Sequence, residues 1–308
     1  MKMWFLILSV SCFLCGDNAA QTPWLTGPLI APFGAIVPYG NFDIEPYVYS
    51  TTETGAYNSH WKANSTSNFF SLNTQVLCFF GLTPWMDINI VPQFFYNTTS
   101  NQNSVRFGDL AVALDFQALD PAATPYFPGI KFTVRETFPT GTFERLNPNK
   151  LLTDQTGAGA FATTFNLVLY EIYELKKSHF LSMTLSAAYT VNPPVYVHGL
   201  NTYGGGGGTK GYVMPGNNLQ ALASFELTLT QNWVLALDNV YSHTDRSKFC
   251  GTTSAPVSVR SSEQITFAPA IEYNFSSHMG LIVGCWFTAW GRNTPVFRSG
   301  VIAFDYLY

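Results

Sequence analysis

The chain has 308 residues, of which 11% are charged and 16% are aromatic, and its formal net charge is −4. Soluble domains carry about 25% charged residues, so this composition favours a protein in which half of each element faces something other than water. Because there is no basic excess, the chain lacks the electrostatic footprint of a nucleic-acid-binding protein, and no nucleic-acid partner is expected.

The N-terminus has the layout of a secretory signal. Lys2 supplies a positive charge, residues 4–14 form a short apolar run, and small residues follow. An apolar run of this length is too short for a membrane-spanning helix. We therefore predict a signal peptide over residues 1–20, with a lipid anchor on Cys12 or Cys15 as the alternative.

From residue 41 onward, apolar and polar residues alternate with a period of two. In residues 219–230, for example, Leu, Ala and Phe side chains occupy one face, whereas Gln, Ser, Glu and Thr dominate the other. This period is that of a β-strand and not of a helix. Each segment has ~11–15 residues, enough for a tilted strand to cross a bilayer. Twelve such strands are predicted: residues 41–51, 69–80, 85–97, 105–119, 129–140, 159–173, 179–191, 219–230, 233–244, 263–275, 279–290 and 297–308.

Three parts of the chain follow from this pattern. After the signal peptide, residues 21–40 are rich in proline and glycine, and we predict that they lead into the barrel from the periplasm or lie in its lumen. Residues 41–308 are predicted to form one all-β domain, a transmembrane antiparallel up-and-down β-barrel of about 12 strands.

The connections between the predicted strands alternate in length. Short turns on one side and long loops on the other are typical of outer-membrane barrels. An even number of strands places both ends of the barrel on the short-turn, periplasmic side. The tight turns include residues 81–84, 231–232 and 276–278, and the long loops are mainly residues 52–68, 141–158, 192–218 and 245–262.

Aromatic residues cluster where the strands should meet the membrane boundaries. Trp85, Tyr173 and Trp233 are expected at the short-turn boundary, and Trp286 and Trp290 toward the outer one. Amphipathic rings favour such boundaries. Since aromatic residues are also common in strands of every kind, this clustering supports a membrane barrel only modestly.

Charged residues collect on the strand face that we assign to the lumen. A charge on the lipid face would cost ~2–4 kcal/mol for Arg or Lys at the bilayer midplane, so their inward placement is expected. We interpret these residues as candidates for selecting solutes, with Lys131 and Arg135 facing acidic neighbours. The alternative is an ion-paired interior that supports a narrow barrel and conducts little. The lumenal candidates are Asp43, Glu45, Asp109, Asp115, Lys131, Arg135, Glu226, Asp238, Glu272 and Asp305.

Patterns that would indicate an enzyme or a cofactor site fail on inspection. The glycines at 204–208 lack the adjacent Lys-Ser/Thr of a phosphate-binding loop. Residues 242–245 contain the residue types of a catalytic triad, but neighbours on one strand cannot converge on one reaction centre. The three cysteines after the signal segment are isolated and show no zinc-site spacing. No catalysis, no cofactor and no metal are predicted.

Three short motifs carry a family resemblance. Residues 106–110 read Arg-Phe-Gly-Asp-Leu, residues 138–141 read Phe-Pro-Thr-Gly, and residues 157–159 read Gly-Ala-Gly before another alternating strand. With these motifs, residues 40–308 resemble the outer-membrane β-barrel proteins of the MetA-pathway of phenol degradation family, with Phe138 where that family has a smaller aliphatic residue. The resemblance implies passive transport of small solutes, hydrophobic or aromatic ones among them, and no catalysis.

The last predicted strand ends in an aromatic residue. Ile302, Phe304, Tyr306 and Tyr308 form one lipid-facing row. This pattern resembles the signal by which bacterial barrels are passed to their assembly machinery, so Phe304, Tyr306 and Tyr308 are the predicted assembly signal. The expected location is the bacterial outer membrane. The expected partners are membrane lipids, the assembly machinery and a small-molecule solute, and a monomer is favoured.

The sequence leaves two main functions open, and a hydrolase embedded in the membrane is a third reading for which no Ser, His and Asn grouping is found. The first is an outer-membrane channel or transporter for passive uptake of small solutes, hydrophobic or aromatic ones among them. It rests on the even strand count, the polar inner face and the family resemblance. The second is a structural or surface-interaction barrel whose long loops, residues 52–68, 192–218 and 245–262, bind a partner.

Overall fold

The computed structural model of the protein describes residues 23–120, 127–176, 179–257 and 260–308, and the predicted signal peptide lies outside the described residues. Among the described residues, no helix has the length and hydropathy needed to cross a membrane. Pro148–Lys150 form a 3-10 turn. In chain order the strands are β1 (Phe42–Tyr57), β2 (Ala63–Thr83), β3 (Met86–Val91), β4 (Gln93–Thr99), β5 (Gln102–Phe107), β6 (Leu110–Leu119), β7 (Gly129–Phe138), β8 (Ala162–Lys176), β9 (His179–Val191), β10 (Val195–His198), β11 (Lys210–Met214), β12 (Asn218–Thr228), β13 (Trp233–Thr244), β14 (Lys248–Thr252), β15 (Ser262–Ser276), β16 (Met279–Arg292) and β17 (Pro295–Leu307).

Fourteen of the described strands form one antiparallel sheet, and β1 pairs with both β17 and β2, so the sheet closes into a barrel. Closure satisfies the backbone hydrogen-bonding groups that a bilayer cannot. β3 and β4 make one pass of the barrel that is interrupted at Pro92, and β5 and β6 make one pass that is interrupted at Gly108 and Asp109. The barrel therefore has twelve passes. The prediction of an all-β, antiparallel up-and-down barrel of about 12 strands is confirmed.

The interruption at Pro92 has a simple cause. Proline has no backbone N–H and cannot donate to the ladder of a central strand. Its carbonyl group still accepts a hydrogen bond from the N–H of Val76 at 3.2 Å. The pass therefore continues through β4 beside the same neighbour, β2.

Both ends of the barrel lie on the short-turn side. The backbone N–H of Phe42 donates to the carbonyl of Tyr308 at 2.8 Å, and the N–H of Tyr308 donates to the carbonyl of Phe42 at 2.7 Å. The first and last strands are thus joined at the end of the barrel where short connections link β2 to β3, β12 to β13 and β15 to β16.

The predicted long loop at residues 52–68 is wrong. β1 continues to Tyr57 and β2 begins at Ala63, so only residues 58–62 form the connection. The side-chain oxygen of Asn58 accepts the N–H groups of His60 at 2.8 Å and Lys62 at 3.1 Å, which closes the turn. Residues 63–68 of β2 are all exposed, and a strand that is wetted on both faces needs no alternation of apolar and polar residues. The period-two signal therefore stops before the strand does.

Two of the other long connections contain structure of their own. β10, β11 and β14 form a separate three-stranded antiparallel sheet, the outer sheet, at the long-loop end of the barrel. Val195, Val197 and Val213 are buried on one side of this sheet and pack with Ala160. The predicted long loops 192–218 and 245–262 therefore share a small hydrophobic core instead of projecting separately.

The two faces of the barrel strands have opposite character. Inward residues are mostly buried, and large apolar side chains are exposed on the outside, as a lipid-facing surface requires. Trp286, expected at the outer aromatic boundary, instead points inward, where its Nε1–H donates to the hydroxyl of Thr266 at 2.8 Å. Its parity is that of the buried residues Ile282 and Thr288. Exposed apolar residues of the outer face include Phe132, Phe165, Leu167, Leu185, Leu235, Leu237, Ile271, Val283 and Ile302.

Candidate functional site

The candidate site is the lumen of the barrel. The structure places every lumenal candidate in the interior to some degree, although Asp109 lies between strands instead of on one. Their role in selecting solutes stays a prediction. Asp43, Asp109, Asp115, Lys131, Glu226, Asp238 and Glu272 are buried, and Glu45, Arg135 and Asp305 are partly buried.

Residues 23–40, which we call the lumen segment, run along the inside of the barrel as far as Val37 and end in three exposed residues. The carboxylate of Glu272 on β15 accepts the N–H of Thr26 at 3.1 Å, and the side chain of Asn274 accepts the hydroxyl of Thr26 at 2.8 Å. The carboxylate of Asp238 on β13 accepts the N–H groups of Ile30 at 2.6 Å and Ala31 at 3.3 Å. Acidic side chains of the barrel wall thus satisfy backbone donors of the segment.

The second half of the lumen segment is held by the opposite wall. The N–H of Val37 donates to the carboxylate of Asp87 on β3 at 2.7 Å, and the N–H of Ile36 donates to the side chain of Gln117 on β6 at 3.2 Å. Lys131 on β7 donates from Nζ to the carbonyl of Ala35 at 3.2 Å. The segment therefore bridges the lumen from β13 and β15 to β3, β6 and β7.

Apolar packing adds to these hydrogen bonds. Leu29 is 1% exposed and packs in a cluster with Ile282, Val301 and Ala303. Burying a leucine side chain stabilises by about 1.5–3 kcal/mol, and a hydrogen bond to a charged group contributes about 1.5–3 kcal/mol. With several such contacts, the lumen segment is held firmly against the barrel wall.

A cavity of ≈ 270 Å³ lies beside the lumen segment. Pro28, Leu29, Ile30 and Phe33 form one side of it. The barrel contributes aromatic, polar and charged side chains from a series of neighbouring strands. The principal barrel residues that line it are Glu45, Tyr47, Tyr49, Gln75, Leu77, Phe79, Asp115, Lys131, Arg135 and Asn166.

Three carboxylates gather on adjacent strands at the short-turn end of the lumen. Asp43 and Glu45 on β1 and Asp305 on β17 each place an oxygen within 4.8 Å of the others. Acidic groups this close either share protons or attract a cation. The cluster makes this part of the lumen unfavourable for a negatively charged group of a solute.

Asp109 organises the connection between β7 and β8, next to the barrel mouth. Its two carboxylate oxygens accept the N–H groups of Gly141 and Ala158, each at 2.8 Å. In the same connection, the side chain of Asn97 on β4 donates to the carbonyl of Thr153 at 3.0 Å. Asp109 therefore anchors residues 141–158 to the barrel, and its carboxylate is occupied by the protein itself.

Several lumenal residues were not singled out from the sequence. Asp87 shares the inward parity of the predicted strand at residues 85–97, and Tyr47 and Tyr49 share the parity of Asp43 and Glu45. The alternation already contained the signal that places them in the lumen. Their contacts with the lumen segment could not be predicted, because no sequence pattern in residues 23–40 shows which part of the barrel wall the segment contacts.

The predicted assembly signal lies at the C-terminal end of β17, the last strand of the barrel. Tyr306 is 40% exposed and Tyr308 is 80% exposed, whereas Phe304 is partly buried. An exposed aromatic end is accessible to another protein during insertion, and its use as an assembly signal stays a prediction.

Comparisons with known proteins give a structural likeness but no sequence match. Neither the protein-family models nor the curated protein sequences contain a match to this chain. The crystal structure of an outer membrane channel from Pseudomonas putida F1 is similar over 91% of this chain and 100% of that one, with 14% identity and a TM-score of 0.71. This chain has the fold of an outer-membrane β-barrel. That fold and the apolar exterior confirm the predicted location in the bacterial outer membrane.

Two further structures give weaker likenesses. The beta domain of the Bordetella autotransporter BrkA covers 88% of this chain and 100% of that one, at 8% identity and a TM-score of 0.48. The translocator domain of the autotransporter NalP from Neisseria meningitidis is similar over 87% of this chain and 88% of that one, at 10% identity and a TM-score of 0.43.

Proposed function

We propose that the protein is an outer-membrane channel for passive uptake of small solutes, hydrophobic or aromatic ones among them. The observation that carries this proposal is the cavity of ≈ 270 Å³ inside the lumen, lined by aromatic and charged side chains. Charged groups are costly to bury unless a partner or water meets them. A cavity lined in this way gives such groups access to water or a solute.

The lumen segment sets the resting state of this channel. Its backbone donors are bonded to Glu272, Asp238 and Asp87. Releasing contacts of this kind costs several kcal/mol, at about 1.5–3 kcal/mol for each charged hydrogen bond. The conformation that lets solutes pass is therefore a minor one at equilibrium, and a solute or a neighbouring protein shifts the population toward it.

Two similarities support the proposed solutes. The resemblance of residues 106–110 and 138–141 to the MetA-pathway of phenol degradation family supports small hydrophobic or aromatic solutes, and membership of that family is part of the proposal. The shared fold with a protein described as an outer membrane channel supports conduction. The proposal involves no catalytic step. The proposed partners are membrane lipids, the assembly machinery and the solute, and the proposed state is a monomer.

Conductance of the purified protein in planar lipid bilayers tests the proposal. The full chain should show brief, infrequent openings, and a variant that lacks residues 23–37 should show a larger and steadier conductance. Liposome swelling with uncharged solutes should rank the two proteins in the same order. If neither protein conducts and neither permits swelling, the channel function is wrong.

A second function is favoured by the outer sheet. Tyr196 is 38% exposed and Tyr212 is 52% exposed on the side of this sheet that faces away from its small core, and their ring centroids lie 4.8 Å apart. An exposed aromatic pair of this kind suits contact with a partner outside the cell. Cells that express a variant with residues 192–218 trimmed should then lose binding to that partner, whereas unchanged binding would exclude this role.

A further inference from the structure

Arg135 faces the cavity, and none of the described residues forms a hydrogen bond or an ion pair with its side chain. It lies on β7, where Ala113 of β6 and Thr164 of β8 are its register partners. Alanine offers no acceptor, and the hydroxyl of Thr164 is hydrogen-bonded to Thr190 at 2.8 Å. Within the described part of the chain, no hydrogen bond or ion pair engages the guanidinium group. Its five N–H donors are therefore free to bind something in the cavity.

Among the described residues, no neighbouring charge forms an ion pair with Arg135. Asp115 lies two positions along β6 and within electrostatic range, but its carboxylate accepts the hydroxyl of Thr133 and forms no ion pair with Arg135. Lys131, the other lumenal cation, already donates to the carbonyl of Ala35 in the lumen segment. Arg135 is thus the cation that remains available for a ligand among the lumenal candidates.

An aromatic row leads to the same cavity. The rings of Tyr47 and Tyr49 are stacked with centroids 5.7 Å apart, and the ring of Trp286 meets Tyr49 edge-on at 6.4 Å. Phe297, near the long-loop end of β17, meets Trp286 edge-on at 4.8 Å. The row therefore runs from the outer half of the lumen to the cavity wall, and planar rings stack favourably along such surfaces.

Charge and size restrict the ligand. The cavity of ≈ 270 Å³ is small beside the ~300–1,000 Å³ of pockets for drug-sized ligands, so it suits a single ring with one substituent. The Arg135 side chain favours a ligand with a carboxylate group, since a guanidinium binds a carboxylate through two parallel hydrogen bonds. The acidic cluster of Asp43, Glu45 and Asp305 disfavours a second negative charge at the end of the ligand away from Arg135.

We propose that this cavity binds a small aromatic monocarboxylate, with Arg135 holding the carboxylate and Tyr49 contacting the ring. The proposal names the solute class of the channel and rests on the channel function in that respect. Binding itself is measured without transport, so the two ideas fail separately.

Calorimetric titration of the full-length protein in detergent micelles tests the site, with benzoate as the probe and benzyl alcohol as its uncharged counterpart. Wild-type protein should bind benzoate saturably. Arg135→Gln should weaken benzoate binding by about tenfold or more, because a charge-assisted pair is lost. Arg135→Lys should restore part of it, and binding of benzyl alcohol should be weak and unaffected. Arg145→Gln is the matched control, since that side chain is 73% exposed in an outer connection.

A second variant keeps the test decisive if Arg135→Gln does not fold. Tyr49→Ala should weaken benzoate binding by about two- to tenfold, because a ring contact is lost. Equal benzoate affinity in wild type and Arg135→Gln overturns the site, and so does the absence of saturable benzoate binding by wild type. If the protein binds benzoate and never conducts, the proposed binding site stands and the proposed channel function is wrong. If the protein conducts and does not bind benzoate, the channel function stands and the proposed binding site is wrong.

Discussion

The carboxylate of Asp238 accepts a hydrogen bond from the backbone N–H of Ile30 at 2.6 Å, although the two residues are 208 positions apart in sequence. Asp238 is completely buried. A charged group in that position is stabilised only by donors that come to it. The lumen segment supplies those donors, so the barrel wall and the segment depend on each other.

Replacing Asp238 should loosen the lumen segment. Asp238→Ala leaves the N–H groups of Ile30 and Ala31 without their acceptor, and the loss of charged hydrogen bonds destabilises the closed arrangement by about 1.5–3 kcal/mol. The open probability of single channels in planar bilayers should rise by about tenfold or more. Asp245→Ala, at an exposed carboxylate, is the control and should leave the gating unchanged. An open probability equal to that of wild type would show that Asp238 does not hold the segment.

A disulfide should lock the lumen segment in place. A Cβ atom at Gly280 would lie 3.0 Å from the Cβ of Thr26, about half an ångström below the range found in disulfides, so a small outward shift of the segment accommodates the bond. In a background without other cysteines, Thr26→Cys with Gly280→Cys should form the bond under oxidising conditions. Conductance should fall on oxidation and recover when a reductant is added.

The single variant Gly280→Cys is the control for the lock, because it provides no partner thiol. Its conductance should not respond to the redox state. Mass spectrometry establishes whether the bond has formed in the double variant. A fully formed disulfide with unchanged conductance would mean that the segment need not move.

Gly81 is where the end of the lumen segment meets the barrel wall. A Cβ atom at this position would approach the carbonyl oxygen of Pro38 to 2.0 Å. Gly81→Ala should therefore displace the segment or β2 and lower the free energy of unfolding by about 1–3 kcal/mol, measured by urea titration in micelles. Gly300→Ala, where nothing lies within 4 Å of the added carbon, should have little effect. Equal losses in the two variants would contradict this explanation.

Asp109 should control the order of residues 141–158. Asp109→Ala removes the acceptor for the N–H groups of Gly141 and Ala158, each of which then lacks a partner at a cost of about 1–3 kcal/mol. Limited proteolysis of the protein in micelles should then cut this connection several times faster than in wild type. The exposed-site variant Asp245→Ala again serves as the comparison, and equal cleavage rates in all three proteins would rule out an anchoring role.

The terminal aromatic residue should affect assembly more than stability. Tyr308 is 80% exposed, so Tyr308→Ala removes little packing and leaves the backbone bonds to Phe42 in place. The amount of folded protein in the outer membrane should fall several-fold, while refolding into detergent remains close to that of wild type. Trp290→Ala, at another exposed aromatic residue, separates this effect from a general loss of aromatic area. A normal yield in the membrane would remove Tyr308 from the assembly signal.

The sequence determined the barrel because the strand period is a local property. Neighbours along the chain alternate between lipid and lumen, so apolar and polar side chains must alternate as well. The segments at residues 179–191 and 233–244 were predicted with the bounds that the structure shows. Where a strand leaves the membrane, as at residues 63–68, the alternation ends and the boundary could not be predicted.

The sequence also placed charged residues such as Asp238 and Arg135 on the inner face, since parity follows from the same alternation. Only the tertiary structure decided what each of them meets. Asp238 contacts Ile30, Asp109 contacts Gly141 and Ala158, and Arg135 is left facing the cavity. Contacts between distant parts of a chain depend on how a closed barrel brings its walls and the lumen segment together, and no local pattern of residues records that arrangement.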